Sequence, residues 1–178
     1  MRNLYDTEEF ENTYTYLGHD LGAFWTESQT VFRLWAPTAR EVTLLLYRDG
    51  LGGEPLASQQ LHPEKNGTWI ARRIGNLKGL YYTYLVNVDG QAKEACDPYA
   101  RAVGVNGLRA MVIDLRETNP AGWEEDRCPF QGKGITDAVL YELHIRDLSA
   151  HRSSHIQNKG KYLGLAETGT HTRSGHAT

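Results

Sequence analysis

Cysteine, basic excess and long apolar runs are all scarce in this chain, and each scarcity closes off a class of protein. Of 178 residues only 2 are cysteines, Cys96 and Cys128. They lie far apart, with no Cys-x-x-Cys spacing, so neither a zinc site nor a disulfide framework is implied and both are expected as reduced thiols. Lys and Arg together number 19 against 22 for Asp and Glu, a formal net charge of -3. No basic surplus is left to neutralise phosphates, so neither nucleic acid nor a membrane surface is an expected partner. The longest apolar runs, such as "VTLLLY", are strand-sized, and "MRNLYDTEEFENT" has no apolar stretch of the kind a secretory leader carries. No transmembrane helix or signal peptide is expected, and the chain reads as cytoplasmic.

Catalytic and cofactor motifs are equally thin. "NGLRAMV" and "GKGIT" contain glycine but lack the spacing of a phosphate-binding loop that ends in Gly-Lys-Ser/Thr. No Gly-x-Ser-x-Gly elbow occurs. His144, His151 and His155 could be read as metal ligands, but the first lies in an alternating strand-like run and the others in a polar tail without partners to orient their rings. No metal and no cofactor are expected.

Hydrophobic residues at 40% and aromatics at 10% suffice for a real core. From Gly22 to about Leu115 the chain is a series of short β-type runs broken by turns. "TVFRLWAP" (30–37) alternates, with Phe32, Leu34 and Ala36 on one side and Val31, Arg33 and Trp35 on the other, until Pro37 ends it. "EVTLLLY" (41–47) follows, then the glycine loop "DGLGGEP" and a polar, edge-type run "LASQQL" (56–61). Asn66-Gly67 suits a tight turn with positive φ at both residues, and "TWIARRI" (68–74) is expected to return beside 56–61. "GLYYTYLVNVDGQAKEA" is the clearest hairpin, turning at Asp89-Gly90, with Tyr82, Tyr84, Val86 and Val88 on one face and Tyr81, Thr83, Leu85 and Asn87 on the other. "LRAMVIDL" (108–115) closes the series. About seven strands at roughly 8- to 12-residue spacing form the pattern of an immunoglobulin-like antiparallel β-sandwich.

Residues 1–19 read as an N-terminal extension, 20–115 as the sandwich and 116–136, with their glycines, prolines and charges, as a linker. "DAVLYELHIRDLS" (137–149) then alternates apolar Val139, Tyr141, Leu143 and Ile145 with polar Glu142, His144 and Arg146, the pattern of a strand with one buried face. The residues after it offer no second strand of comparable strength, so the tail alone is expected to be mobile.

Four stretches together resemble the front portion of type I pullulanases, debranching enzymes of glycoside hydrolase family 13: "DLGAFWTESQTVFRLWAPTAREVTLLLY", "GTWIARRIGNLKGLYYTYLVNVDG", "DPYARAVGVNGLRAMVIDL", and "DAVLYELHIRDLS" with "IQNKGKYLGLAETGT". The resemblance implies a carbohydrate-binding module of family 48 over residues 20–115 and, from residue 137 on, the first strand of a truncated (β/α)8 barrel whose neighbouring strands this sequence does not supply. In that family the catalytic residues lie further downstream, so the chain by itself is expected to be inactive. Glu142 and Asp147 cannot substitute for them: five residues apart on a strand, they would sit on opposite faces about 17 Å apart, beyond the roughly 5 to 9.5 Å of a glycosidase carboxyl pair.

The expected partners are α-glucans (pullulan, amylopectin, glycogen) and the remainder of the catalytic barrel. Sugars stack on exposed aromatic rings. The resemblance nominates Trp69 of "GTW" as the substrate-binding residue; the competing reading packs its ring in the sandwich core. Tyr81 or Tyr82 could line a surface. Glycogen-binding relatives carry a tryptophan after a "DGQ" turn and a lysine on the preceding strand, whereas here those places hold Ala92 and Leu85. A free-standing glucan-binding module and a non-catalytic docking domain stay open as alternatives.

Overall fold

The computed structural model describes residues 4–128 and 130–170. The chain divides between Ala121 and Gly122 into two compact units. In chain order, the first unit contains helix α1 (Glu8–Tyr14) and strands β1 (Gly22–Trp25), β2 (Gln29–Trp35), β3 (Glu41–Tyr47), β4 (Ala57–Gln60), β5 (His62–Pro63), β6 (Thr68–Ile74), β7 (Tyr81–Val88), β8 (Gln91–Ala95) and β9 (Ala110–Met111). They form two antiparallel sheets, one in the order β1-β2-β6-β5 and one in the order β4-β3-β7-β8, with β9 also on β7. The expected mainly β sandwich is what forms.

The strict alternation of β2, β3 and β7 explains the two layers, because a period of two sends every other side chain to the same face. Phe32 and Leu34 from one sheet meet Val42, Leu44, Leu46, Tyr82 and Tyr84 from the other in a single buried cluster. Burying each large side chain contributes about 1.5–3 kcal/mol, so this shared layer is the main force pressing the sheets together. Asn66 (φ 56°) with Gly67 (φ 72°) and Asp89 (φ 51°) with Gly90 (φ 80°) make the two left-handed turns expected of them.

Two expectations need correction, and the run 137–149 adds a local detail. β6 does not return beside 56–61: at Leu61, whose amide donates to the Val42 carbonyl at 2.8 Å, the chain crosses between sheets, so β6 pairs with β2 over its whole length and with β5 over two residues. The run 108–115 forms a ladder only at Ala110–Met111, because β8 already occupies that edge of β7 from Tyr84 onward; Asp114 then caps a one-turn 3-10 helix, Leu115–Thr118, by accepting from the Arg116 amide. Among the described residues, Ile145–Ala150 are helical, forming α2, and Ala138–His144 pairs in no ladder. His144 caps α2 by accepting from the Asp147 amide at 3.4 Å, which favours a helix start there.

The expected N-terminal extension packs onto the first sheet and belongs to the same compact unit. Thr7 caps α1 by accepting from the Phe10 amide at 3.2 Å, and Glu8, Glu9 and Glu11 suit the positive end of the helix dipole. Buried Phe10 meets Tyr14 at 4.8 Å between ring centroids. The Trp35 indole donates to the Tyr14 carbonyl at 2.8 Å and to the Asn66 carbonyl at 3.1 Å. Next to it Arg33, 8% exposed, pairs with Asp20 at 2.9 Å and Glu64 at 2.7 Å beneath the Tyr16 ring. Residues 8–20 therefore cover the outer face of this sheet around Arg33 and Trp35, while Ile74 at the far end of β6 stays 82% exposed.

The second unit is held by hydrogen bonds more than by apolar burial. Ser149, 2% exposed, accepts from the Gly160 amide at 2.6 Å and donates to the Ile145 carbonyl at 3.1 Å. Lys159 donates to the Ser149 and His151 carbonyls at 3.3 and 2.9 Å, and the Glu167 carboxylate accepts from the Gln157 and Asn158 amides at 2.8 and 2.6 Å. The tail expected to be mobile is thus tied together through Glu167; residues 171–178 lie outside the described residues. No helix among the described residues is long and apolar enough to cross a membrane.

Candidate functional site

With the polar centre of one outer face covered, attention falls on the other, the outer face of the β4-β3-β7-β8 sheet. Alternation brings Leu45 and Tyr47 of β3, Thr83 and Leu85 of β7, and Ala92 and Glu94 of β8 to this face. Tyr47 and Thr83 are nevertheless only 3% and 2% exposed. The cover is Arg109. Its guanidinium lies 3.4 Å from the Tyr47 ring centroid and donates to the carbonyls of Asp49 at 2.8 Å and Gly52 at 2.6 Å. A single arginine therefore draws the glycine-rich loop after β3 over the sheet, using the planar fork that suits both stacking and several acceptors at once.

Below the guanidinium a polar network fixes the floor. The Tyr47 hydroxyl and the Thr83 hydroxyl both donate to Oε1 of Glu94, each at 2.7 Å. The Tyr47 bond, with Thr83 and the positive charge of Arg109 assisting, holds the Glu94 carboxyl below the usual range despite its partial burial. Burial, followed by the bond to Glu94, raises the Tyr47 phenol, so Tyr47 is the donor and Glu94 the charged acceptor. Two glycines let the flanking loops meet above Tyr81. A Cβ on Gly104 would stand 2.9 Å from the Gly50 Cα and 3.0 Å from the Tyr81 ring. Any side chain there would wedge the loops apart.

Between these loops and β8 lies an open cleft of about 380 Å³, lined by Leu51, Gly52, Glu94, Ala95, Cys96, Gly107, Leu108 and Arg109. Leu51 and Leu108, 57% and 53% exposed, offer apolar surface over a base that carries a carboxylate and a guanidinium. Such a mixture suits a pyranose ring, whose C–H groups want apolar contact and whose hydroxyls want donors and acceptors.

The residues nominated from sequence fall differently. Trp69 sits in the core on the other sheet, 9% exposed, and its indole donates to the Ala36 carbonyl at 3.0 Å. Its ring thus has little surface left for stacking, and it is not part of the cleft. Tyr82 and Tyr84 face the core at 1% exposure each, leaving only half-buried Tyr81 on the cleft side. Leu85 and exposed Ala92 share the outer face with Glu94. Glu142 is exposed and Asp147 lies on α2, 3.3 Å from His144, so the strand geometry expected for that carboxyl pair does not occur. Among the described residues no group of three or more His, Cys, Asp or Glu could hold a metal. Cys96 and Cys128 are both free. Sequence reasoning missed Arg109, Glu94 and Leu108; the two glycine-bearing loops that frame them were the available signal.

Comparison with known proteins agrees with this architecture. Residues 20–100 match the family described as carbohydrate-binding module 48 (isoamylase N-terminal domain). The pullulanase of Bacillus subtilis strain 168 is 34% identical over 172 residues, covering 97% of this chain and 23% of that protein. The chloroplastic pullulanase 1 of Arabidopsis thaliana is 33% identical over 156 residues, 82% of this chain and 16% of the relative. The pullulanase of Paenibacillus barengoltzii, solved in complex with maltohexaose and α-cyclodextrin, superimposes with a TM-score of 0.89 at 46% identity over 97% of this chain and 26% of that one. The chain thus spans well under a third of the pullulanases it matches. With a sandwich of this topology and a similarity that runs through both units, the chain resembles the front part of pullulanases, and its residues 20–100 match a carbohydrate-binding module of family 48.

Proposed function

We propose that this chain is the non-catalytic front part of an α-1,6-glucan debranching glycoside hydrolase acting on pullulan, amylopectin or glycogen. Its sandwich holds α-glucan in the cleft framed by Leu51, Leu108 and Arg109, while residues from 137 on take their place in the catalytic barrel. The observation that carries this reading is the extent of the match. It covers 97% of the chain, well beyond the module at 20–100, so the similarity extends into the second unit. A free-standing module would need no such second unit. The hydrolytic carboxyl groups then belong to the rest of the barrel, since Glu142 and Asp147 are exposed side chains without the geometry of an acid pair.

The test has two arms. Purified chain incubated with pullulan is expected to release no reducing ends; sustained release, with contaminating amylase excluded, overturns the non-catalytic assignment. In a native gel containing amylopectin the chain is expected to migrate slowly, and Leu108→Asp to restore free migration with an unchanged melting temperature. Trp69 is the alternative contact: retardation that survives Leu108→Asp but is lost in a folded Trp69→Phe protein would move the site to the tryptophan. Absence of retardation in the unsubstituted chain favours a purely docking role, which predicts instead a stable complex with a separately expressed barrel.

A further inference from the structure

The chain carries two Asn-Gly pairs, and the fold treats them oppositely. Asn66-Gly67 and Asn106-Gly107 each lie in a one-turn 3-10 stretch, Lys65–Gly67 and Val105–Gly107. Their backbones nearly coincide, with φ of 56° and 72° in the first pair and 54° and 68° in the second. Tertiary hold is what separates them. The Asn66 side-chain amide donates to the Thr13 carbonyl at 3.2 Å, the Asn66 carbonyl accepts from the Trp35 indole at 3.1 Å, and the Gly67 carbonyl accepts from the Ala36 amide at 3.0 Å. Pro37 and Tyr14 also crowd Gly67, leaving no room for a Cβ. At the second pair Val105, Asn106, Gly107 and Leu108 are all exposed, and a Cβ on Gly107 would meet nothing within 4 Å. The Asn106 side-chain amide makes no hydrogen bond among the described residues.

An asparagine followed by glycine is open to attack by its own backbone, because glycine puts no side chain in the way. The Gly107 nitrogen gives up its proton and bonds to Asn106 Cγ; the bond from Cγ to the side-chain nitrogen breaks, and ammonia leaves carrying that proton. A five-membered succinimide results. One water then opens it, at the side-chain carbonyl to give aspartate or at the main-chain carbonyl to give isoaspartate, and no other reactant is required. Ring closure needs the turn to open. At Asn106 opening releases two exposed bonds, from the Gly107 amide to the Gly104 carbonyl at 3.1 Å and from the Leu108 amide to the Val105 carbonyl at 3.2 Å. At Asn66 it must also release the bonds to Thr13, Trp35 and Ala36; at about fivefold each in the opening equilibrium, these slow the reaction there by about a hundredfold.

We propose that Asn106 is a site of spontaneous deamidation and that its conversion loosens the rim of the cleft over Tyr47. Gly107, Leu108 and Arg109 line that cleft, and the hairpin tip that holds them is closed by the Gly104 amide donating to the Arg109 carbonyl at 2.8 Å. Either product sets a carboxylate at the tip, and isoaspartate also lengthens its backbone by one methylene. This chemistry is the same whether or not the cleft holds glucan.

The test is incubation of the full chain at mildly alkaline pH, folded and in urea, with peptide mapping by mass spectrometry and labelling of isoaspartate by an isoaspartyl methyltransferase. In urea both asparagines are expected to convert at similar rates. In the folded chain Asn106 is expected to convert about a hundredfold faster than Asn66. Asn106→Gly, which accepts the same positive φ and has no side-chain amide, should abolish conversion in that peptide. Hydrogen exchange at the Gly104 amide should quicken in the aged chain and stay unchanged in aged Asn106→Gly. Equal rates at the two sites in the folded chain, or an intact Asn106 once the urea-treated chain has converted, overturns the site. Unchanged exchange at Gly104 in a converted chain overturns its coupling to the cleft.

Discussion

Removing one hydroxyl from the core should give a stability loss that grows as pH rises. The Tyr82 hydroxyl donates to Asp97 Oδ2 at 2.7 Å, and Asp97, 3% exposed, also accepts from the Tyr99 amide at 2.8 Å. Burial pushes the Tyr82 phenol far above its ordinary value, so it stays protonated and is always the donor. Burial also raises the Asp97 carboxyl, and the bonds from Tyr82 and Tyr99 pull it only part of the way back. Tyr82→Phe keeps the ring and its edge contacts to Phe32 and Tyr84, at 5.0 and 5.7 Å, while deleting the bond. With Asp97 ionised, the loss is that of a charged hydrogen bond, about 1.5–3 kcal/mol; with Asp97 protonated it falls to about 0.5–1.5 kcal/mol. The folded pKa lies above the unfolded one, so the native state binds more protons in the interval between them. Stability therefore declines as pH climbs through that interval, and the substitution widens it by raising Asp97 further. Urea unfolding of both proteins at pH 7 and near pH 4 measures the difference, with all other carboxyls cancelling between them. An equal penalty at both pH values would refute the reasoning, as would a larger one in acid.

Two further outcomes follow from the same kind of accounting. Asp20→Asn should cost up to about 1 kcal/mol, since the Asp20 side chain is 48% exposed and solvent screens its pairing with Arg33. The hydrogen bond from Tyr16, aided by Arg33, lowers the folded pKa of Asp20, so its stabilisation is present above the unfolded value and lost as pH falls through the folded one; a difference in urea midpoint that persists below that pH, or is indifferent to salt, counts against this. Ser149→Ala leaves the Gly160 amide without its 2.6 Å acceptor. It should cost about 1–3 kcal/mol within the second unit and speed hydrogen exchange at Gly160, while exchange in the sandwich stays as it was.

Legibility in the sequence followed the range of the interaction that decided each feature. Asn66-Gly67 and Asp89-Gly90 were readable because positive φ is a property of the residues themselves. β2, β3 and β7 were readable because period-two burial is written along each strand. β9 was not, since its length is set by how much of the β7 edge β8 leaves free. Ala138–His144 shows the same limit: the alternation is real, with Val139 and Tyr141 89% and 78% exposed, but a strand also needs a ladder partner, and none is present among the described residues. The cleft was the least legible feature. Arg109 reaches Asp49 across 60 positions, and nothing in "NGLRAMV" announces which loop its guanidinium will hold.

The two outer faces of this sandwich are treated differently, and the proposed glucan site follows from that difference. On the β1-β2-β6-β5 sheet the segment 8–20 and the turn at 64–67 spend the polar groups: Arg33 on Asp20 and Glu64, and the Trp35 indole on the Tyr14 and Asn66 carbonyls. A sugar there would have to displace those partners. On the other sheet the cover is one residue, Arg109, set over Tyr47 and anchored to backbone carbonyls; Leu51 and Leu108 are left exposed and Glu94 lines the opening. Fixing such groups before a ligand arrives reduces the ordering cost of binding. The Tyr47–Glu94–Thr83 network would therefore serve the proposed glucan site as well as stability: its hydrogen bonds tie β3, β7 and β8 together beneath a cleft whose apolar rim stays open.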